Sequence, residues 1–559
     1  MTSAKTLPRD ETRDPVLRFL PLGGLGEIGM NLALMGLGDD WVIIDAGVQF
    51  PDAGFVGASK ILPDLELLSE YRGRVRAILL THGHEDHLGA VGFVAEVCPA
   101  PIYAPPFACE LIRLKREEYK DAPPLDLRPV APGHDLQIGP FRFEYIQVTH
   151  SIPDAYALAI HTPVGLVVHS GDFKIDPNPL DGRQFDRSRL QALGDSGVRL
   201  LFSDSTNAEV PGHTRSEAAV ALELERQFQE APGRVIVAMF ASNVLRLRAM
   251  ADAARATGRR LCLIGRSLSV YQEAAERAFR MPPIPDLVDS SALHRMPPRE
   301  VVVACTGSQA EPRSALFRAS RMDHPDLRIQ EGDTVLMSCR MIPGNEKAIH
   351  RMLNSLARLG ARVVHEKMAP IHASGHACRE ELREMIRLVR PRTFVPVHGE
   401  YSFLRAHVEL AAEEGVPEAH LVENGQLLEV TRTETRLQPQ LPLTPHYLDE
   451  PLVGTASELA LDERRRIGQA GVVSALLRAR PGKKGWRATV EVRGVGLPKV
   501  PEGLLDQAAQ QAAEQVASLN RDSGRSLLEE VLVASLRSFF RRNLERKPAI
   551  LPFIEVEES

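Results

Sequence analysis

Apolar residues along the chain follow two different periods. Between Arg18 and Asp204 they form short β-rich runs punctuated by Gly and Pro: Trp41–Ile44, Ala77–Leu80, Phe141–Val148, Gly165–His169 and Leu200–Phe202. From Thr214 to about Val364, helix-like stretches at Ser216–Glu230, Val244–Thr257, Ser269–Phe279 and Glu346–Leu359 alternate with apolar strands. Those strands are Arg234–Phe240, Arg260–Ile264, Glu300–Ala304, Thr334–Ser338 and Arg362–Val364. The βα alternation predicts a parallel, doubly wound sheet. After Pro370 the pattern predicts helix Arg379–Val389, strand Thr393–Val397, helix Ser402–Glu414 and strand His420–Val422, then a Pro-rich linker around Gln438–Pro451. The C-terminal stretch predicts a small α+β piece, with strands near Val472–Arg478, Arg487–Val492 and Ile550–Val556 and helices Gly503–Leu519 and Ser526–Leu544.

One motif is set aside first. Gly24-Leu25-Gly26-Glu27-Ile28-Gly29 fits the dinucleotide pattern G-x-G-x-x-G, which needs a helix after the glycines. Met30–Met35 and Trp41–Ile44 read as strands instead, so a tight hairpin with glycines at positive φ is expected, and no NAD site.

The chemistry concentrates in Thr81-His82-Gly83-His84-Glu85-Asp86-His87, between an apolar strand and a helix that opens at Leu88. Imidazole and carboxylate at this density suit zinc, manganese or iron. In an extended turn His82 and His84 project to one side, while Asp86 and His87 turn toward a second position. The same arrangement recurs: apolar strands run into Asp45, His150, Asp172, Asp204 and His398. Rigid strands that end in single ligand-type residues gather those residues at one edge of a layered sheet.

Composition narrows the function. Lys plus Arg number 67 against 73 Asp plus Glu, a net charge of −6, which excludes a protein that coats nucleic acid through bulk positive charge. Aromatics at 5% argue against a stacking platform for single strands. The six cysteines are scattered without a C-x-x-C pair and read as buried reduced thiols. The polar segment Met1–Asp14 and the short apolar runs predict a cytoplasmic protein without signal peptide or membrane span. The basic groups Arg246/Arg248, Arg259/Arg260 and Arg464–Arg466 read as solvated helix faces.

The set His82-x-His84-x-Asp86-His87, with Asp45, His150 and Asp172, resembles the signature of the metallo-β-lactamase superfamily. The resemblance implies that His82, His84 and His150 bind one metal ion and that Asp86, His87 and His398 bind another. Asp172 would bridge them and Asp45 orient the site. Ligands that stop near Asp204 and resume at His372–His398, on either side of the βα stretch, resemble the β-CASP group of nucleic-acid nucleases. Its extra motifs match Asp204 in Phe202–Asn207, His376 in His372-Ala373-Ser374-Gly375-His376, and His398 in Pro396–Glu400; the last His leans toward RNA. Within that group the opening Pro21–Asn31, the Ser203–Asn207 and His372–His376 segments and the C-terminal piece resemble the ribonuclease J family.

The expected architecture is a metallo-β-lactamase αββα sandwich over 18–208 and 370–437, split by a doubly wound β-CASP domain over 209–369. An extension at 1–17, a linker at 438–463 and an α+β domain at 464–559 complete it. The resemblance implies a two-metal ribonuclease, with zinc or alternatively manganese, that leaves 5′-phosphate products and acts in mRNA decay and rRNA processing. It implies 5′→3′ exonuclease action on single-stranded, 5′-monophosphorylated RNA together with internal cleavage. Partners would be a second copy or larger homo-oligomer and other RNA-decay proteins. His376 is the candidate to protonate the departing oxygen, and Asp204 either orients His398 or holds water. A 5′-phosphate pocket is expected where Ser242 and Asn243 face His372, Ser374, Gly375 and His376. The competing readings are a small-molecule hydrolase of the same fold and a non-catalytic RNA scaffold.

Overall fold

The computed structural model describes residues 14–51, 55, 57–117, 124–342, 344–482 and 485–557. Most of the N-terminal segment expected as an extension without a leader lies outside the described residues. The chain forms two units, 1–49 with 62–445 and 50–61 with 446–559.

Successive side chains on a strand point to opposite faces, and this sorts the first unit's core into layers. In Asp40–Ile44, Val42 and Ile44 enter one buried cluster while Trp41 and Ile43 enter another. The first cluster lies between two sheets. One has the spatial order Thr435–Gln440, Gln426–Val430, Leu17–Gly23, Leu32–Leu37, Asp40–Ile44, Val75–Leu79, Ile102–Ala104, Leu127–Pro129. The other runs Glu418–Ala419, Thr393–Val397, Val198–Asp204, Gly165–His169, Tyr156–Thr162, Phe141–Gln147, Asp135–Ile138. Phe19 and Phe202 meet across them with ring centroids 4.1 Å apart. The outer faces carry helices: Ile43 and Ile78 pack with Leu67, Leu68 and Val94, while Leu201 and Phe394 pack with Leu190, Ile386 and Leu410. Helix, sheet, sheet, helix is the αββα sandwich, and each such fully buried side chain contributes about 1.5–3 kcal/mol.

The insert leaves after Val198–Asp204 and returns into Thr393–Val397, its parallel neighbour, with Asp204 opposite Val397. Its own five-stranded sheet is wholly parallel, in the order Arg260–Ile264, Val301–Cys305, Val235–Ala238, Thr334–Met337, Arg362–His365. Helices Glu217–Glu230 and Val244–Ala256 cover one face, and Ala315–Ser320 and Glu346–Arg358 the other. This is the doubly wound arrangement that its β-rich, near-continuous apolar strands demand. In the second unit, the strand Val472–Pro481 lies between an antiparallel Trp486–Val495 and a parallel Ala549–Val556. Helices Leu504–Ala517 and Arg525–Leu544 pack on it, with Leu528, Leu532, Leu536 and Phe540 inside.

Several expectations need correction. The strand expected at His420–Val422 is Glu418–Ala419, because the ladder to Thr393 and Phe394 ends there. The stretch read as linker carries strands Thr435–Gln440, His446–Asp449 and Leu452–Thr455 and the start of helix Leu461–Ala470. Arg246 and Arg259, read as solvated, are 1% and 6% exposed, since each donates to acceptors inside the insert. The six cysteines are buried and unpaired. Gly24, Gly26 and Gly29 all take positive φ in the turn between Leu17–Gly23 and Leu32–Leu37, and no helix follows them.

Candidate metal centre

The strands of the sandwich that were expected to end in ligand-type residues carry those residues at one end of the layers. Asp45 and His398 directly follow Asp40–Ile44 and Thr393–Val397, and Asp204 ends its own strand. His82, His150 and Asp172 lie three residues beyond Val75–Leu79, Phe141–Gln147 and Gly165–His169. His84 stands immediately before the short helix Glu85–Leu88, which contains Asp86 and His87. Asp45 and His398 sit at φ 58° and 55°, a left-handed conformation that costs a non-glycine residue about 1 kcal/mol or more and turns the side chain across the sheet end.

Three groups of ligand atoms form. His82, His84, His150 and Asp172 make the first, and Asp86, His87, Asp172 and His398 the second, each within 4.8 Å. Asp172, Asp204, His376 and His398 make the third. Asp172 belongs to all three. In the first group His84 Nδ1 stands 3.0 Å from His82 Nε2 and 3.0 Å from His150 Nε2. A proton on His84 Nδ1 can serve only one of the two nitrogens facing it, and burial pushes His82 and His150 well below the ordinary histidine pKa and His84 down to about 4. Three neutral imidazoles, two buried and His84 half-buried, with converging nitrogens fit a bound cation.

The supporting contacts fix which nitrogen faces inward. His150 Nδ1 bonds the Gly375 carbonyl at 2.6 Å, leaving Nε2 for the centre. A Cβ on Gly375 would sit 2.7 Å from the His150 ring, so only glycine admits this approach. His87 Nδ1 bonds Asp45 Oδ2 at 2.8 Å, and Asp45 Oδ1 accepts from the Thr81 backbone N–H at 2.8 Å. Asp45 thus orients His87 from behind, as carboxylates behind metal-binding histidines do. An Asp45→Asn variant is expected to weaken divalent-metal binding about 10–100-fold while the fold persists. Competition against a chelator measures it, and unchanged affinity would show that Asp45 serves the backbone alone.

In the second group, His87 Nε2 lies 3.1 Å from Asp172 Oδ2, and His398 Nε2 lies 3.1 Å from Asp86 Oδ2. Burial opposes ionisation of Asp172, but the facing His398 and His87 outweigh it and hold the carboxyl well below its usual range. Burial likewise opposes a charge on His398, and Asp172, Asp204 and Asp86 overcome it, raising the pKa to about 10. Divalent ions and these protons therefore compete for the same nitrogens.

Asp204 turns chiefly to His376: its Oδ2 meets His376 Nδ1 at 2.8 Å, while Oδ1 is 3.4 Å from His398 Nδ1. Thr206 Oγ1 lies 2.7 Å from the same His398 Nδ1 and also bonds Asp204 Oδ1 at 2.8 Å, so it shares the contact to His398 with Asp204. Asn243 bonds other residues of the protein through both atoms of its amide. Its amide caps helix Val244–Ala256 through the Arg246 N–H and reaches Glu217, which occupies both ends of the side chain. No hydrogen bond joins Ser242 or Asn243 to Ser374, Gly375 or His376 among the described residues. Ser374 instead bonds Asn207. Sequence reasoning missed Asn31, whose amide lies 3.1 Å from His87 Nε2 and donates to the Asp86 carbonyl. Its only signal was its place at the end of the glycine-rich turn.

Comparison with known proteins agrees along the chain. Residues 29–214 match the metallo-β-lactamase superfamily and residues 232–356 the ribonuclease J β-CASP domain. Residues 360–421 match the zinc-dependent metallo-hydrolase RNA specificity domain, and 459–556 the ribonuclease J C-terminal domain. A ribonuclease J of Synechocystis sp. is 37% identical, over 98% of this chain and 88% of its own length. That of Thermus thermophilus is 35% identical, over 96% and 95%. A Mycobacterium tuberculosis ribonuclease J is 38% identical over 90% of each. A solved Enterococcus faecalis protein of unknown function shares the fold, with TM-score 0.53 and 17% identity over 74% of this chain and 100% of its own.

Proposed function

Because this chain belongs to the ribonuclease J family, a group of metallo-hydrolase ribonucleases of the β-CASP type, we propose that it degrades RNA from a 5′-monophosphorylated end and also cleaves internally. The observation that carries the reading is the sharing of Asp172 between two four-residue ligand groups at one sheet edge, with His376 beside them. Two divalent ions, when bound, supply Lewis acidity that activates a water and neutralises phosphate charge. On this reading His82, His84, His150 and Asp172 hold one ion, and Asp86, His87, Asp172 and His398 the other. His376, its Nδ1 held by Asp204, offers Nε2 to the leaving 3′-oxygen, so that the product keeps a 5′-phosphate. Burial lowers the affinity of His376 for a proton, but the Asp204 carboxylate outweighs this and raises it, as a proton donor needs.

A seat for the terminal phosphate is supported in the loop before His376. His372, Ser374 and Gly375 belong to it, and the exposed Arg215 and Arg340 tie into it through the His372 carbonyl and Asn207. The same reading carries zinc or manganese as the metal, homo-oligomeric assembly and cytoplasmic RNA decay and processing. Among the described residues no helix is long and apolar enough to cross a membrane.

The test is a comparison of labelled RNAs. Monophosphorylated RNA is expected to be degraded roughly tenfold faster than triphosphorylated RNA, the effect of about 1.4 kcal/mol of differential binding. Release of labelled mononucleotide identifies exonuclease action; equal rates on the two substrates would remove the phosphate seat from the reading.

A further inference from the structure

Arg246, three residues into helix Val244–Ala256, is 1% exposed, and a guanidinium so deep must have its N–H groups paired. Nε and Nη2 grip Glu217 at 3.2 and 2.6 Å. Nη2 also donates to the Ala373 carbonyl at 3.3 Å. Nη1 donates to the Ser338 carbonyl at 2.9 Å, and it meets His372 Nδ1 at 3.2 Å. Glu217 opens helix Glu217–Glu230 and is itself 3% exposed. The ion pair is thus matched in charge, and its donors point at the loop that runs on to Ser374 and His376.

Arginine has no acceptor, so His372 Nδ1 must accept, and the ring's proton must stand on Nε2. A second proton finds no favour. Burial drives the His372 pKa well below its ordinary value, and Arg246, Lys174, Arg340 and Arg215 push it the same way. No described residue accepts from Nε2. His372 is therefore a neutral ring with one donor fixed in direction.

We propose that Arg246 is a positioning residue that holds His372 as an Nε2–H donor to the terminal phosphate of the RNA. The proposal rests on the 5′-phosphate reading above. It gives a buried cation a part in specificity without contact with RNA: its charge is cancelled by Glu217, and what the phosphate meets is the orientation of an imidazole. The exposed Arg215 and Arg340 remain to supply charge. A helix of the insert thereby sets the geometry of a loop that belongs to the sandwich.

The test compares three variants of the full-length, metal-loaded protein: Arg246→Gln/Glu217→Gln, His372→Ala, and the triple combination. Changing both partners of the ion pair leaves no ionised carboxylate buried alone. The readout is the ratio of kcat/KM on 5′-monophosphate RNA to that on 5′-hydroxyl RNA, with KM and kcat resolved. His372→Ala and the paired change are each expected to lower the ratio about tenfold through KM, and the triple variant no further, as coupled groups do. Losses that multiply to about a hundredfold in the triple variant, or equal losses on both RNAs, would overturn the positioning role. Absence of any preference in the unaltered protein would instead overturn the phosphate reading beneath it. Should the paired variant fail to fold, Arg246→Lys, which keeps the charge on Glu217 but lacks the planar fork that reaches His372, carries the same comparison.

Discussion

Replacing Asp86 and His87 together by alanine is expected to lower kcat/KM on RNA by about a thousandfold or more, since metal assistance accounts for several kcal/mol of the barrier and each 1.36 kcal/mol is tenfold. The change removes two of the four members of one ligand group and leaves only Asp172 and His398. The other group, His82, His84, His150 and Asp172, keeps all its members. Metal analysis should accordingly show one ion per chain where the unaltered protein is expected, on the two-metal proposal, to show two. The cost to folding is small by comparison. Asp45 loses His87 but retains the Thr81 N–H and hydroxyl, and the helix Glu85–Leu88 keeps its backbone bonds to His84. Cleavage at an undiminished rate with a single ion would show that the second group is not part of the reaction; loss of both ions would show that the two groups bind as one unit.

His376→Ala is the second large effect. A positioned general acid is worth roughly 10²–10⁴ in rate, and the loss should fall on kcat with KM little moved, since the group acts as the bond breaks. The discriminating substrate carries sulfur in place of the bridging 3′-oxygen at the scissile phosphate. A thiolate leaves without a proton, so the variant should recover most of its deficit on that RNA. A deficit equal on the oxygen and sulfur substrates would assign His376 to phosphate binding. Asp204→Asn should show the same sulfur rescue, weaker in degree, because the 2.8 Å contact to Nδ1 would persist without its charge.

How much of this was legible in the sequence depended on how local the cause was. The candidate ligand residues were readable because Asp45, His150, Asp172, Asp204 and His398 end or closely follow apolar strands and His82, His84, Asp86 and His87 crowd one short turn, patterns contained in a few consecutive residues. The insert was readable for the same reason, as its helices and strands alternate without interruption. Arg246 was not. Its helix position falls on the buried face beside Leu247 and Met250, yet an arginine there reads as solvated, and the carboxylate that permits its burial is 29 residues away. Asn243 illustrates the reverse: its capping role is local and was readable from its place before the helix. The strand at Glu418–Ala419 was misplaced because edge strands end where their neighbour's ladder ends, and that is a property of the sheet. Thr206 and Asn31 lie in segments that carry the family resemblance, but nothing local assigns their parts, since their partners His398 and His87 lie 192 and 56 residues distant.

The position of the insert gives the site a history within each molecule. His82, His84, His150 and Asp172 are all synthesised before the insert begins, and only the Gly375 carbonyl that orients His150 comes after it. His398 meets Asp86 across 312 residues, and it does so only after the five-stranded sheet has formed and the chain has come back to lie beside Val198–Asp204. Domains fold in order of emergence, and contacts of long separation close last. A growing chain therefore carries half a centre, with neither His376 nor His398 in place, and the second half closes only on a finished sandwich.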